Sequence, residues 1–221
     1  MSAMNLSNLN SFAYVSEAYL HGPVKTVFIN FPGLGSTEMR SSLDGFETRL
    51  AHEDALFVYP FVNPWSWMNA KTVSFCDQVL ELVAQKFSVA PGFRLVTRGG
   101  SMGGYSALAY AMFTCHPIHA VVANCPVTDI EFHYSERPDL PRTFHDAMGD
   151  YGDITGLLKS RSPNQQPEKL PPARYLIIHG ANDKSVNKQA HSDVLVKRLR
   201  ELKREVEYVE DPLMAHCAPM R

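Results

Sequence analysis

The sequence has almost no excess charge of either sign: 21 lysines and arginines face 23 aspartates and glutamates, a formal net charge of −2. A balance this close offers no electrostatic footprint for nucleic acid or an anionic membrane, so neither is expected as a partner. No apolar run approaches the roughly 20 residues a membrane-spanning helix needs. The first ten residues lack the basic start and apolar core of a secretory signal. Cysteine is scarce: Cys76, Cys115, Cys125 and Cys217 are scattered, without disulfide-framework or zinc-site spacing. Reduced thiols in a cytoplasmic protein are the simplest account. Cys115, His116 and His119 are close in sequence, but no paired motif completes a metal site there. No metal and no cofactor is expected. Repeats, low-complexity tracts and linkers are also missing, so residues 1–221 are expected to form a single domain.

What is present is an alternation of β-prone and helical patterns. Strands are expected over 24–31, 55–59, 93–97, 118–124, 174–178 and 205–210, with a looser edge strand within 11–20. Helices are expected over 39–52, 73–87, from the glycines near 100 to about 115, and over 188–203. The Lys/Arg/Glu face of the last helix reads as a solvated surface. Such alternation implies an α/β fold, a mostly parallel central sheet flanked by helices. Residues 127–172 break the rhythm and are rich in Pro, Asp, Arg and Gly, with helical patches near 141–148 and 154–158. This excursion is expected to leave the sheet edge as a lid-like insertion, or else to be a solvated insertion with no catalytic part.

The centre of the pattern is Gly99-Gly100-Ser101-Met102-Gly103-Gly104, between a β-prone run and an Ala/Leu-rich helical run. Gly99, Ser101 and Gly103 fill G-x-S-x-G, the nucleophile elbow, in the strand–turn–helix context that it requires. A serine on so tight a turn has a strained backbone and needs neighbours without side chains. A serine hydroxyl is also a weak nucleophile and needs a base within hydrogen-bond reach. In parallel sheets, ligands gather at the carboxyl ends of strands. That rule selects Asp183, after the 174–178 strand, and His216, after the last one. His216 would take the Ser101 proton, and Asp183 would orient the imidazole. Asp129 and Asp211 are rival acids. The remaining histidines read as surface or hydrogen-bonded side chains. An oxyanion hole is expected from the Met102 N–H and, in Pro32-Gly33-Leu34-Gly35, the Leu34 N–H, with Gly35 next. Trp65 and Trp67, in the run 60–68, and Tyr105 are candidate pocket walls, with helix-entry or core packing as the alternative.

The order Ser, Asp, His is that of the α/β-hydrolases, and the chain resembles that superfamily from about Val24 to His216. Within it, Gly-Gly-Ser-Met-Gly-Gly-Tyr105 resembles the elbow of prolyl oligopeptidase-type catalytic domains. Cys125-Pro-Val-Thr-Asp129, Arg161-Ser-Pro163 and His179-Gly-Ala-Asn-Asp183 fit the same group. Gly33-Leu34-Gly35 is similar to the oxyanion loop of small carboxylesterases and acyl-protein thioesterases. The chain departs from these patterns in three ways. No β-propeller is expected before the hydrolase pattern, Pro32 stands where esterases often carry histidine, and the usual long helix after the candidate catalytic histidine is not expected. The resemblance thus implies a serine hydrolase more firmly than a peptidase. The expected activity is cleavage of a small ester through an acyl-enzyme at Ser101. A peptidase acting on short peptides is the nearest alternative, and a non-catalytic small-molecule or partner-binding protein on the same fold is the alternative of another class. Acyl group and oligomeric state are not written in the residues.

Overall fold

The computed structural model describes residues 3–87, 89–149 and 151–217. Its centre is a seven-stranded sheet. The strands are β1 (Ala13–Val15), β2 (Thr26–Phe31), β3 (Ala55–Pro60), β4 (Arg94–Gly100), β5 (Ala120–Asn124), β6 (Arg174–Gly180) and β7 (Glu205–Asp211). Their order is β1-β3-β2-β4-β5-β6-β7. Only β1 runs antiparallel; every other pairing is parallel. The helices are α1 (Gly45–Ala51), α2 (Ala70–Lys86), α3 (Met102–Phe113), α4 (Ile130–Glu136), α5 (Leu140–Met148), α6 (Thr155–Arg161) and α7 (Ser192–Glu201).

The central strands are apolar without alternation because both sheet faces are covered. In β2, Val27, Ile29 and Phe31 are buried on one face while Thr26 and Asn30 are buried on the other. Helix α3 is enclosed from Met102 to Ala111 and packs against β4, β5 and β2. Its small residues allow that close approach, and a helix apolar all round belongs in the interior. Register then sets the level of the site. Phe31 pairs with Gly99, Gly100 with Asn124, and Gly180 with Asp211. Five strands, β2, β4, β5, β6 and β7, therefore end along one edge, and the loops that leave them converge.

Several elements differ from the sequence expectation. The strand expected within 11–20 shrinks to Ala13–Val15, followed by a single 3-10 turn at Glu17–Tyr19. The helix expected over 39–52 begins only at Gly45, because Asp44 and Glu47 form a reciprocal capping box that defines its start. Glu47 also accepts from Arg40 Nη2 at 3.0 Å and Arg98 Nη1 at 2.9 Å, tying α1 to β4. Helix α2 starts three residues earlier than expected, where the Asn69 side chain caps the Thr72 N–H at 3.0 Å. Helix α7 is shorter than expected, since residues 188–191 form turns before it.

The excursion is built rather than loose. It holds α4, for which the residues carried no expectation, along with α5 and α6. Helix α4 packs against both of the others. The group is pinned to the loop before α2: Trp67 Nε1 donates to Thr143 Oγ1 at 2.9 Å, Trp67 stacks on Phe144 with ring centres 4.1 Å apart, and Asn69 Nδ2 donates to Ala147 O at 2.7 Å. Among the described residues, no helix is long and apolar enough to cross a membrane. The expectation that no helix follows His216 falls on residues 218–221, outside the described residues.

Candidate active site

Ser101 sits between β4 and α3 with φ 57° and ψ −124°. That conformation is sparsely populated for a residue with a side chain and costs on the order of 1–3 kcal/mol. Backbone bonds hold it in place: Ser101 N donates to Asn124 O at 2.9 Å, and Tyr105 N donates to Ser101 O at 3.1 Å. The tight turn requires its glycines. A Cβ on Gly99 would lie 2.3 Å from Gly103 O, and one on Gly103 would lie 2.4 Å from Phe31 O. Strand, turn and helix can close this tightly only where those side chains are missing.

The loops after β6 and β7 bring Asp183 to His216. Ala181 N donates to Asp211 O at 2.9 Å and Asn182 N to Met214 O at 3.1 Å, fastening the two loops together. His216 Nδ1 is 2.7 Å from Asp183 Oδ2. The carboxylate is buried and well satisfied. Its Oδ1 accepts from Ser185 N at 2.8 Å and Val186 N at 3.0 Å, and His179 Nε2 stands 3.2 Å from Oδ2. Burial pushes the Asp183 pKa up, but the bonds from His216 and the two amides outweigh it and hold the acid below its ordinary value. His216 is raised, first by Cys125 beside it and then by Asp183, against the opposing effect of burial. An imidazole held this way by a carboxylate has its tautomer set, with Nε2 free to accept a proton.

Of the three candidate acids, Asp183 is the one bonded to His216. Asp129 caps α4 by accepting from Phe132 N at 3.1 Å and also takes Gln165 Nε2 at 3.1 Å. Asp211 accepts from Leu213 N at 2.9 Å and Met214 N at 3.1 Å, closing the turn that leads to His216. Both are backbone-organising residues.

Ser101, His216, Met102 and Leu34 line one cavity of about 480 Å³. The Ser101 hydroxyl makes no hydrogen bond to His216 here; such bonds commonly tighten only around bound substrate. Met102 opens α3, so its N–H has no partner within the helix. Among the described residues the Leu34 N–H also meets no acceptor, whereas Gly35 N donates to Pro64 O at 3.0 Å. Of the two amides considered in that loop, Leu34 is therefore the free one.

The aromatic candidates separate. Trp67 lines the cavity wall but is fully buried beneath α5. Trp65 lies outside the cavity: its ring packs over Gly35, where an added Cβ would be 2.9 Å away, so it braces the Leu34 loop. Tyr105 is also outside, buried edge-on to Trp67 with ring centres 5.8 Å apart and its hydroxyl 3.4 Å from Arg161 O. The walls that sequence reasoning missed are Val127, His133, Arg137, Ser185, Val186 and Cys217. Three of them come from the excursion, whose approach to Ser101 is a matter of tertiary packing. Cys115 and His116 gather around Asp77 instead of His119.

No curated protein sequence matches the chain. Among solved structures, a puromycin-hydrolysing peptidase of Mycobacterium tuberculosis superposes with TM-score 0.74 at 18% identity, covering 92% of this chain and 33% of its own. The acylaminoacyl peptidase of Pyrococcus horikoshii superposes with TM-score 0.74 at 15% identity, covering 88% and 34%. The carboxylesterase Cest-2923 of Lactobacillus plantarum gives 0.65 at 15%, covering 93% and 78%. The chain thus spans about a third of the length of those peptidase chains, and the shared fold is that of the α/β-hydrolases. The sequence model of the prolyl oligopeptidase family matches residues 65–220, well over half of the chain and all of the Ser101, Asp183 and His216 segments. The chain belongs to the prolyl oligopeptidase family.

Proposed function

We propose that the protein is a serine hydrolase that transfers an acyl group from a small ester to water through an acyl-enzyme at Ser101. The observation that carries this reading is the Asp183–His216 pair at 2.7 Å, opening into the same cavity as an elbow serine. In the first step His216 Nε2 takes the Ser101 proton as Oγ attacks the carbonyl carbon. The resulting oxyanion is held by the Met102 and Leu34 amides, at the positive end of α3. His216 then gives its proton to the leaving oxygen, and the acyl-enzyme forms. Water repeats the sequence, with His216 again as base, and frees the acid. Asp183 stays ionised throughout and stabilises the imidazolium.

A second reading is favoured by the family match over 65–220: the same machinery cleaves short peptides, the leaving group being an amine. A non-catalytic binding role would leave the strained serine and the buried Asp183 carboxylate without a purpose. Helices α4–α6 are read as the lid, since Val127, His133 and Arg137 reach the cavity from that segment. One sheet running through the described residues supports a single domain. Four free cysteines support a reducing, cytoplasmic setting.

A fluorophosphonate probe tests the reading directly. Wild type is expected to carry one adduct, mapped to Ser101, while Ser101→Ala carries none and His216→Ala reacts far more slowly. A folded wild-type protein that takes no adduct at Ser101 defeats the proposal. Nitrophenyl esters of graded chain length, set against aminoacyl-naphthylamides, then rank ester against peptide.

A further inference from the structure

Two thiols and an imidazole meet at one point of the cavity wall. Cys125 follows β5, and Cys217 follows His216 in the loop after β7. Cys125 Sγ, Cys217 Sγ and a ring nitrogen of His216 all lie within 4.8 Å of one another. Cys217 N donates to Cys125 Sγ at 3.3 Å, and the Cys217 thiol lies 3.4 Å from Asn124 O. Cys125 is fully buried, while His216 and Cys217 both border the cavity.

We propose that Cys125, His216 and Cys217 bind a thiophilic divalent cation of the zinc class, with a fourth coordination position open to the cavity. Two sulfurs and one imidazole are a donor set that zinc favours, and a tetrahedral site places such donors about 3.5–3.8 Å apart. Binding would draw the three donor atoms from within 4.8 Å of one another to that spacing. The outer shell is already built. A metal-bound histidine ordinarily donates its other N–H to a carboxylate, and His216 Nδ1 has Asp183 at 2.7 Å. Asp183 is itself fixed by the Ser185 and Val186 amides. With Nδ1 taken by Asp183, the ligand atom in this proposal is Nε2. Binding releases the two thiol protons to solvent and moves no electrons.

The other clusters of ligand-type side chains are occupied. Asp77 Oδ1 accepts from Tyr110 and Thr114 hydroxyls at 2.6 Å each, beside Cys115 and His116. In the His133, Glu136 and His191 group, His191 Nδ1 accepts from Thr128 N at 3.0 Å, and its Nε2 faces Glu136 at 2.9 Å. The group formed by Cys125, His179 and Asp183 shares a carboxylate already bonded to His216. Occupancy at Cys125, His216 and Cys217 has a consequence that rests on the hydrolase reading: a cation on Nε2 prevents His216 from taking the Ser101 proton.

Cobalt(II) titration of the reduced, metal-free protein, in a phosphine reductant, is the test. Wild type is expected to bind one equivalent with an intense thiolate-to-cobalt charge-transfer band, displaced by zinc. Cys125→Ser and Cys217→Ser are each expected to weaken binding at least about 100-fold and to lose charge-transfer intensity. Cadmium NMR on wild type counts the sulfur ligands without any variant, and two are expected. Saturating zinc should slow fluorophosphonate labelling of Ser101 at least about ten-fold, reversed by a chelator, as expected when the general base is blocked. A folded wild type with no charge-transfer band, a cadmium shift without sulfur, or unchanged binding in both variants overturns the site. Absence of labelling in the metal-free protein defeats the hydrolase reading instead, and the cobalt band then still decides the site.

Discussion

Gly180 is where a single methyl group should disable the protein while leaving it folded. It ends β6, and the segment that carries His216 crosses directly over it. A Cβ at Gly180 would stand 2.2 Å from Met214 O and 2.5 Å from Ala215 O. Ordinary van der Waals contact begins near 3.4 Å, so in Gly180→Ala the His216 segment must retreat by about 1 Å. The Asp183–His216 bond, now 2.7 Å, then passes beyond hydrogen-bond length. Displacements of about 1 Å in a reacting group cost on the order of 100-fold in rate. The overpacking itself should cost about 1–3 kcal/mol, which leaves most domains folded. Gly156→Ala, where an added Cβ meets nothing within 4 Å, is the matched control. It is expected to keep full activity with stability changed by less than about 1 kcal/mol. The assay is the rate of fluorophosphonate labelling at Ser101, with thermal melts to confirm folding. If Gly180→Ala labels within about three-fold of wild type, contact with β6 does not locate His216, and the reasoning fails.

Three further outcomes are expected. Asp183→Asn should lower turnover about 10⁴-fold by releasing the imidazole tautomer, while Asp129→Ala should cost about 1 kcal/mol of stability through a lost cap; steady-state kinetics and urea melts of the pair separate these roles. Leu34→Pro removes the free amide and should lower kcat about 100- to 1000-fold with little change in KM, a ratio that steady-state kinetics reads directly. The Glu136 carboxyl is pushed up by burial, but hydrogen bonds with His133 and His191 prevail and bring it from 4.5 down to about 2. A depressed acid stabilises the fold above its unfolded pKa, and that contribution fades as the pH falls from about 4.5 towards about 2. In urea melts Glu136→Gln should therefore be less stable than wild type at pH 7, by at most about 3 kcal/mol, with the gap closing as the pH approaches 2. A constant gap across that range would refute the assignment.

The residues alone determined the strand–helix alternation, the elbow at Ser101, and the placing of Asp183 and His216 after strands. These are local features: periodicity, turn chemistry and position relative to a strand end are written within a few residues of each site. Capping chemistry was local too. The Asp44–Glu47 box explains why α1 starts at Gly45 and not near Met39. Tertiary structure decided what depends on distant segments meeting. Asp183 is distinguished from Asp129 and Asp211 only by which loop reaches His216. Trp65 and Trp67 are two positions apart, yet one braces the Leu34 loop while the other lies buried under α5. Helix α4 carries its burial in contacts with α5 and α6, so it left little trace in its own residues. Cys125 and Cys217 looked scattered because 92 residues separate them, and parallel strands bring their loops to one edge. Packing of long-range neighbours, absent from any local window, converts an ordered set of candidate residues into one cavity.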